Sequence, residues 1–180
     1  QTVTLFPIAL LIIALLHYEA FRTLQGLLLP VTTAILAVVW SLGLMGLLRV
    51  PLDPFNTTTP ILILAVAAGH AVQIQKRYYE EYERHRDPLV AVRVAVAKVG
   101  PVMLTAGAIA ALSFFSLAAF RTAEVRNFGL LAGFGILATL VLELTFTPAL
   151  RAMLRAPRRD EIDREARSGR LLGRALDRLA

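Results

Sequence analysis

The sequence of 180 residues contains no cysteine, which removes disulfides, zinc–thiolate clusters and thiol nucleophiles from consideration. Charge is scarce too. Asp, Glu, Lys and Arg make up 18% of the chain, against about 25% in an ordinary soluble domain. His17, His70 and His85 have no metal-ligand spacing, no glycine-rich phosphate loop is present, and no nucleophile stands beside a base. Nothing therefore resembles an enzyme, a cofactor site or a metal site. What is abundant is apolar: 57% of the residues are hydrophobic and the mean hydropathy is +0.64. That content, gathered in blocks, exceeds what one soluble core would use and reads as an all-α integral membrane protein. The formal charge of +6 would suit nucleic acid, but the basic residues lie between and after the apolar blocks. A membrane protein keeps its cytoplasmic charge there, so no nucleic-acid partner is read.

Five membrane spans are expected, over residues 1–18, 26–48, 57–77, 100–120 and 128–150, forming a transmembrane half-domain of residues 1–154. The first is marginal, because the uncharged run from Gln1 to Leu16 reaches only about 24 Å as a helix. No basic segment precedes it, so it does not read as a signal peptide, and the sequence is taken as a piece of a longer protein. Thr59-Pro60 reads as an N-cap followed by proline at the first helical position of the third span. Asp87-Pro88 gives a second start signal, for a short cytoplasmic helix over 88–99. Val90, Val92, Val94 and Val96 alternate as in a strand, but a strand beside a membrane would leave unpaired edges, and helix is preferred. Gly129-x-x-x-Gly133 in the fifth span is either a close-packing motif or ordinary membrane-helix glycine. Residues 155–180 form an arginine-rich tail whose leucines recur at helical spacing, as in an amphipathic helix lying on a membrane or docking on a partner.

With five spans the two ends fall on opposite sides. Sixteen basic residues then lie on the side of the tail and three on the other, which places the N-terminus outside and the C-terminus in the cytoplasm.

Several motifs occur in a familiar order. Gly43-Leu44-Met45-Gly46-Leu47-Leu48-Arg49-Val50-Pro51-Leu52 leaves the second span, and Gln73-Ile74-Gln75-Lys76-Arg77-Tyr78-Tyr79-Glu80-Glu81 leaves the third. Gly100-Pro101-Val102-Met103-Leu104-Thr105 enters the fourth, Arg126-Asn127-Phe128-Gly129-Leu130-Leu131 enters the fifth, and Thr147-Pro148-Ala149-Leu150 closes it. Together these resemble the resistance-nodulation-division (RND) superfamily, in particular its MMPL-like exporters, and the five-span unit is also similar to a sterol-sensing domain. The resemblance implies spans two to six of a six-span repeat. The first span, an exported porter domain and a second half would be further parts of the protein, the N-terminal half being favoured for this piece. It further implies proton-driven export of a lipid or other hydrophobic compound across a bacterial inner membrane. The rival class is a sterol-sensing-like regulatory module that binds lipid without pumping it. One departure stands out. Such exporters commonly carry an Asp-Tyr pair where this chain has Gly69-His70, so either the proton site is lost here or His70 has taken it over.

The candidate residues follow. His70 is an ionisable group inside a span, suited to relaying protons or to holding the bundle by a neutral hydrogen bond. Glu143 is the carboxylate well inside a span, expected to carry its proton there and either to serve transport or to bond a backbone carbonyl. Gln73 lies three residues from His70 on the same helical face. Thr105 matches a threonine position of the resembling exporters and is otherwise a structural hydrogen bonder. His70 and Glu143 fall at matching depth on helices that run the same way, which makes a contact between them a hypothesis. Tyr78, Tyr79 and Tyr82 read as an aromatic belt at the membrane boundary.

Overall fold

A computed structural model of the chain describes residues 2–21, 23–51, 53 and 56–157. Among them the structure is helical throughout, with no strand. Its helices are α1 (Thr2–Phe21), α2 (Leu24–Leu47), α3 (Thr59–His85), α4 (Pro88–Phe115) and α5 (Ala123–Met153). α2 to α5 are each long and apolar enough to cross a membrane, whereas the apolar stretch of α1, Phe6–Glu19, is shorter. The tail expected over 155–180 lies outside the described residues from position 158 onward.

Local chemistry sets the helix boundaries. The Thr23 hydroxyl accepts from the Gly26 amide at 2.9 Å and opens α2. Asp87 accepts from the amides of Leu89 and Val90 at 2.8 and 3.1 Å, with Pro88 at the first position, and opens α4. α3 is capped one residue earlier than the sequence suggests, at Thr58, after a 3₁₀ turn over Asn56–Thr58. The chain reverses between α3 and α4 at Arg86, whose left-handed φ of 55° ends the helix.

Two elements are longer than the hydropathy suggests. α3 continues through its charged segment to His85, and the helix expected over 88–99 is continuous with the fourth span as α4. Pro101 does not break α4. The charged ends extend because they pack on one another. Glu81 is buried, with Arg77 at 2.6 Å, Lys98 of α4 at 2.8 Å, and His85 and Arg84 at 3.5 and 3.7 Å.

α5 packs against α2, α3 and α4, α3 touches all four other helices, and α1 lies on the edge against α2 and α3. The middle of the core is aliphatic: Ala34, Ala37 and Val38 of α2 meet Ile63, Leu64 and Ala67 of α3 and Leu142 of α5. The Gly129-x-x-x-Gly133 pair is a close-packing motif. A side chain at Gly129 would come within 2.5 Å of the Phe114 carbonyl, and one at Gly133 within 2.5 Å of the Phe115 ring, so both glycines let α5 lie against the end of α4.

Candidate functional site

The buried polar groups of α5 form a line. Thr139, Glu143, Thr147 and Arg151 follow one another at four-residue steps, on one face of the helix, and all four are buried. The line covers about 18 Å at 1.5 Å per residue. Thr139 donates to its own Gly135 carbonyl at 2.9 Å. Thr147 lies 3.4 Å from Glu143 Oε2 and 3.0 Å from the Thr33 hydroxyl of α2, and Thr33 donates in turn to the Leu29 carbonyl at 2.9 Å. Thr147 is the donor to the Glu143 carboxyl oxygen, so this hydroxyl ties the carboxyl group to the α2 contact. Glu143 Oε1 has no partner.

At the end of the line the Arg151 side chain crosses the bundle. Its Nη1 donates to Gln25 Oε1 at 2.6 Å, and its guanidinium lies 4.2 Å from the centre of the Tyr78 ring and 5.5 Å from that of Tyr79. A cation held over ring faces and an amide oxygen needs no carboxylate beside it. Phe21 stacks on Tyr79 at 5.9 Å, Tyr82 on Tyr78 at 6.0 Å, and Thr23 and the Tyr79 hydroxyl are 3.2 Å apart. Tyr78 and Tyr79 are therefore interior residues that tie α1, α2, α3 and α5 together, rather than members of a lipid-facing belt. The reason is rotation: they continue the buried face of α3 that carries Ile63, Ala67, Ala71 and Ile74.

The other face of α3 points outward. Gly69 has nothing within 4 Å of where a side chain would begin, Gln73 is exposed, and His70 is half-buried on the flank between them and the core. His70 Nδ1 has no hydrogen-bond partner, and Gln73 makes none among the described residues. Thr105 is exposed on α4, and its hydroxyl is already used by the Pro101 carbonyl at 2.8 Å. The structure thus puts Gln73 and Thr105 on the outside of the bundle, His70 on its flank with Nδ1 buried, and Glu143 inside it. No hydrogen bond or ion pair joins His70 to Glu143, whose partner is Thr147 on α5 itself.

Sequence reasoning passed over Gln75, Thr147 and Arg151. Gln75 is the buried glutamine of α3, donating to the Gly26 carbonyl of α2 at 3.3 Å, while Gln73 two residues away is exposed. The four-residue recurrence of Thr139, Glu143, Thr147 and Arg151 is a signal the sequence does carry.

Comparison with known proteins follows the same outline. A family model described as MMPL family matches residues 1–175. A membrane protein of Methanocaldococcus jannaschii is 30% identical over 149 residues, which is 83% of this chain and 38% of that protein. Two membrane proteins of Streptomyces coelicolor are 28% and 27% identical over 148 and 150 residues, 79% and 82% of this chain and 21% of each of theirs. The chain spans well under half the length of these curated relatives.

Proposed function

The chain belongs to the MMPL family, and on that premise we propose that it is the transmembrane half-domain of a proton-driven exporter of the RND type. Lipids or other hydrophobic compounds are its cargo, and the bacterial inner membrane its location, with the N-terminus outside and the C-terminus in the cytoplasm. A further span, an exported porter domain and a second helical half complete the working protein.

The observation that carries this reading is the outward face of α3. His70 lies six residues inside Lys76, about 9 Å into the apolar part of the helix, on the flank of that face, with its Nδ1 buried and unpartnered. Gln73 is exposed on the face without a hydrogen bond among the described residues. Hydrocarbon cannot satisfy the Gln73 amide, and intramembrane polar residues face protein or a water-filled path. A second bundle set against this face supplies it with a partner, and alternating access needs two such repeats moving against each other. On this reading His70 takes the proton at the boundary between halves, Gln73 orients its ring, and Thr105 lines the neighbouring helix. Glu143, buried beside Thr147, is a second proton-holding group inside the bundle.

The test is export by the full-length protein in proteoliposomes under an imposed proton gradient. Transport stops when an ionophore collapses the gradient, and His70→Ala lowers it by at least about tenfold, the scale of one positioned proton-transfer group. Export that persists without the gradient removes the proton-driven reading. Lipid binding with no export at all supports a regulatory module instead.

A further inference from the structure

α3 and α4 each pass from apolar to charged sequence at one lysine. In α3 no Asp, Glu, Lys or Arg occurs from Thr59 to Gln75, and Lys76 is the first; in α4 Lys98 is the last before an equally uncharged run from Val99 to Phe120. The two helices are antiparallel neighbours, and the fold brings these two transitions to one level. An open groove between them, about 300 Å³ in volume, is lined by Gln73, Lys76, Arg77, Glu80, Lys98, Val99 and Val102. Val102 is 63% exposed, and Lys76 forms no ion pair among the described residues.

Charge within the groove is not balanced. Glu80 is held by Arg77 at 2.8 Å, and the buried Glu81 beneath is held by Arg77 at 2.6 Å and by Lys98 at 2.8 Å. These pairings consume Arg77 and part of Lys98. The Lys76 ammonium is left over, and the Lys98 side chain stays 46% exposed, with donors to spare. One end of the groove is therefore cationic and the other, along Val99 and Val102, is apolar. A basic pocket between membrane helices at the level of the headgroups suits an anionic lipid.

We propose that this groove binds one anionic phospholipid of the surrounding membrane. Its phosphate lies between Lys76 and Lys98, and an acyl chain runs along Val99 and Val102. The lipid sits beside the outward face of α3, at its charged end. The proposal does not depend on export, since it rests on the groove alone.

The full-length protein, exchanged into mixed micelles and read by native mass spectrometry, tests it. The lipids are phosphatidylglycerol and phosphatidylcholine of equal chain length. The wild-type protein retains one phosphatidylglycerol in preference to phosphatidylcholine. Lys76→Gln with Lys98→Gln lowers that preference by roughly 10- to 30-fold, the scale of two lysines near an anionic surface. Val102→Trp, which fills the apolar end without altering charge, reduces retention of the same lipid, while circular dichroism and melting confirm the fold. Millimolar inorganic phosphate does not displace the lipid. Equal retention of both lipids overturns the proposal, as does an unchanged preference in the double lysine variant. Full retention in Val102→Trp, or displacement by free phosphate, also overturns it. So does a groove in the full-length protein that is occupied by protein, seen as disulfide crosslinking of Val102→Cys to the rest of the chain with no lipid retained.

Discussion

α5 and the outer face of α3 carry the same kinds of polar residue into a membrane protein and use them in opposite ways. On α5, Thr139, Glu143, Thr147 and Arg151 are buried, and each has a partner inside this bundle. On α3, the exposed Gln73 side chain has none there, and Gly69 beside it leaves open space. A polar group in a membrane is costly until it is paired, so the first set explains how this piece holds together. On the proposed reading the α3 face is completed by something set against it, and the two faces then divide stability from function within one small bundle.

That separation can be broken by substitution, and the largest effect is expected at Arg151. Arg151→Ala removes the contact with the Tyr78 and Tyr79 rings and the bond to Gln25, and leaves a hole where α2, α3 and α5 meet. A loss of roughly 3 kcal/mol is expected, read from reversible unfolding of the chain in mixed micelles. Gly129→Ala comes next, at roughly 1–3 kcal/mol, because the new methyl meets the Phe114 carbonyl, which is backbone and cannot turn aside. Thr147→Val is expected to cost about 1 kcal/mol in the same assay, since it removes the bonds to Thr33 and Glu143 while keeping the shape. Smallest is Gln73→Leu, which should change the stability of the isolated chain by less than about 0.5 kcal/mol. The comparison sharpens if Gln73→Leu nonetheless weakens export by the full-length protein. It fails if Gln73→Leu destabilises the chain as much as Thr147→Val does.

The helices were legible in the sequence because each is a long uncharged run closed by charge or proline. Glu143 and His70 stood out for the same reason, as ionisable groups inside apolar runs. That no hydrogen bond joins them was not legible. Equal depth follows from counting residues, but contact depends on how each helix is rotated, and α3 turns its Ile63–Ala67–Ala71–Ile74 face inward and leaves His70 on the flank. The tyrosines show the same limit. Position along the chain put Tyr78 and Tyr79 at the membrane boundary, while rotation put them inside with Arg151. The extension of α3 to His85, and the fusion of the helix at 88–99 with the fourth span, were hidden because hydropathy ends where charge begins. The helix does not, since Glu81 with Arg77 and Lys98 makes a buried ionic contact between the extended ends.

By itself the sequence determined that this is a helical membrane protein, since 57% hydrophobic residues in uncharged blocks cannot be hidden in a soluble core of this size. It also determined where α4 starts, through Asp87-Pro88. Only the tertiary structure decided which polar residues are partners and which are left facing outward. Gln73 and Gln75 are chemically identical and two residues apart, yet one is exposed and the other bonds α2. In a helix two residues are about 200° of rotation, and packing against neighbours sets that rotation.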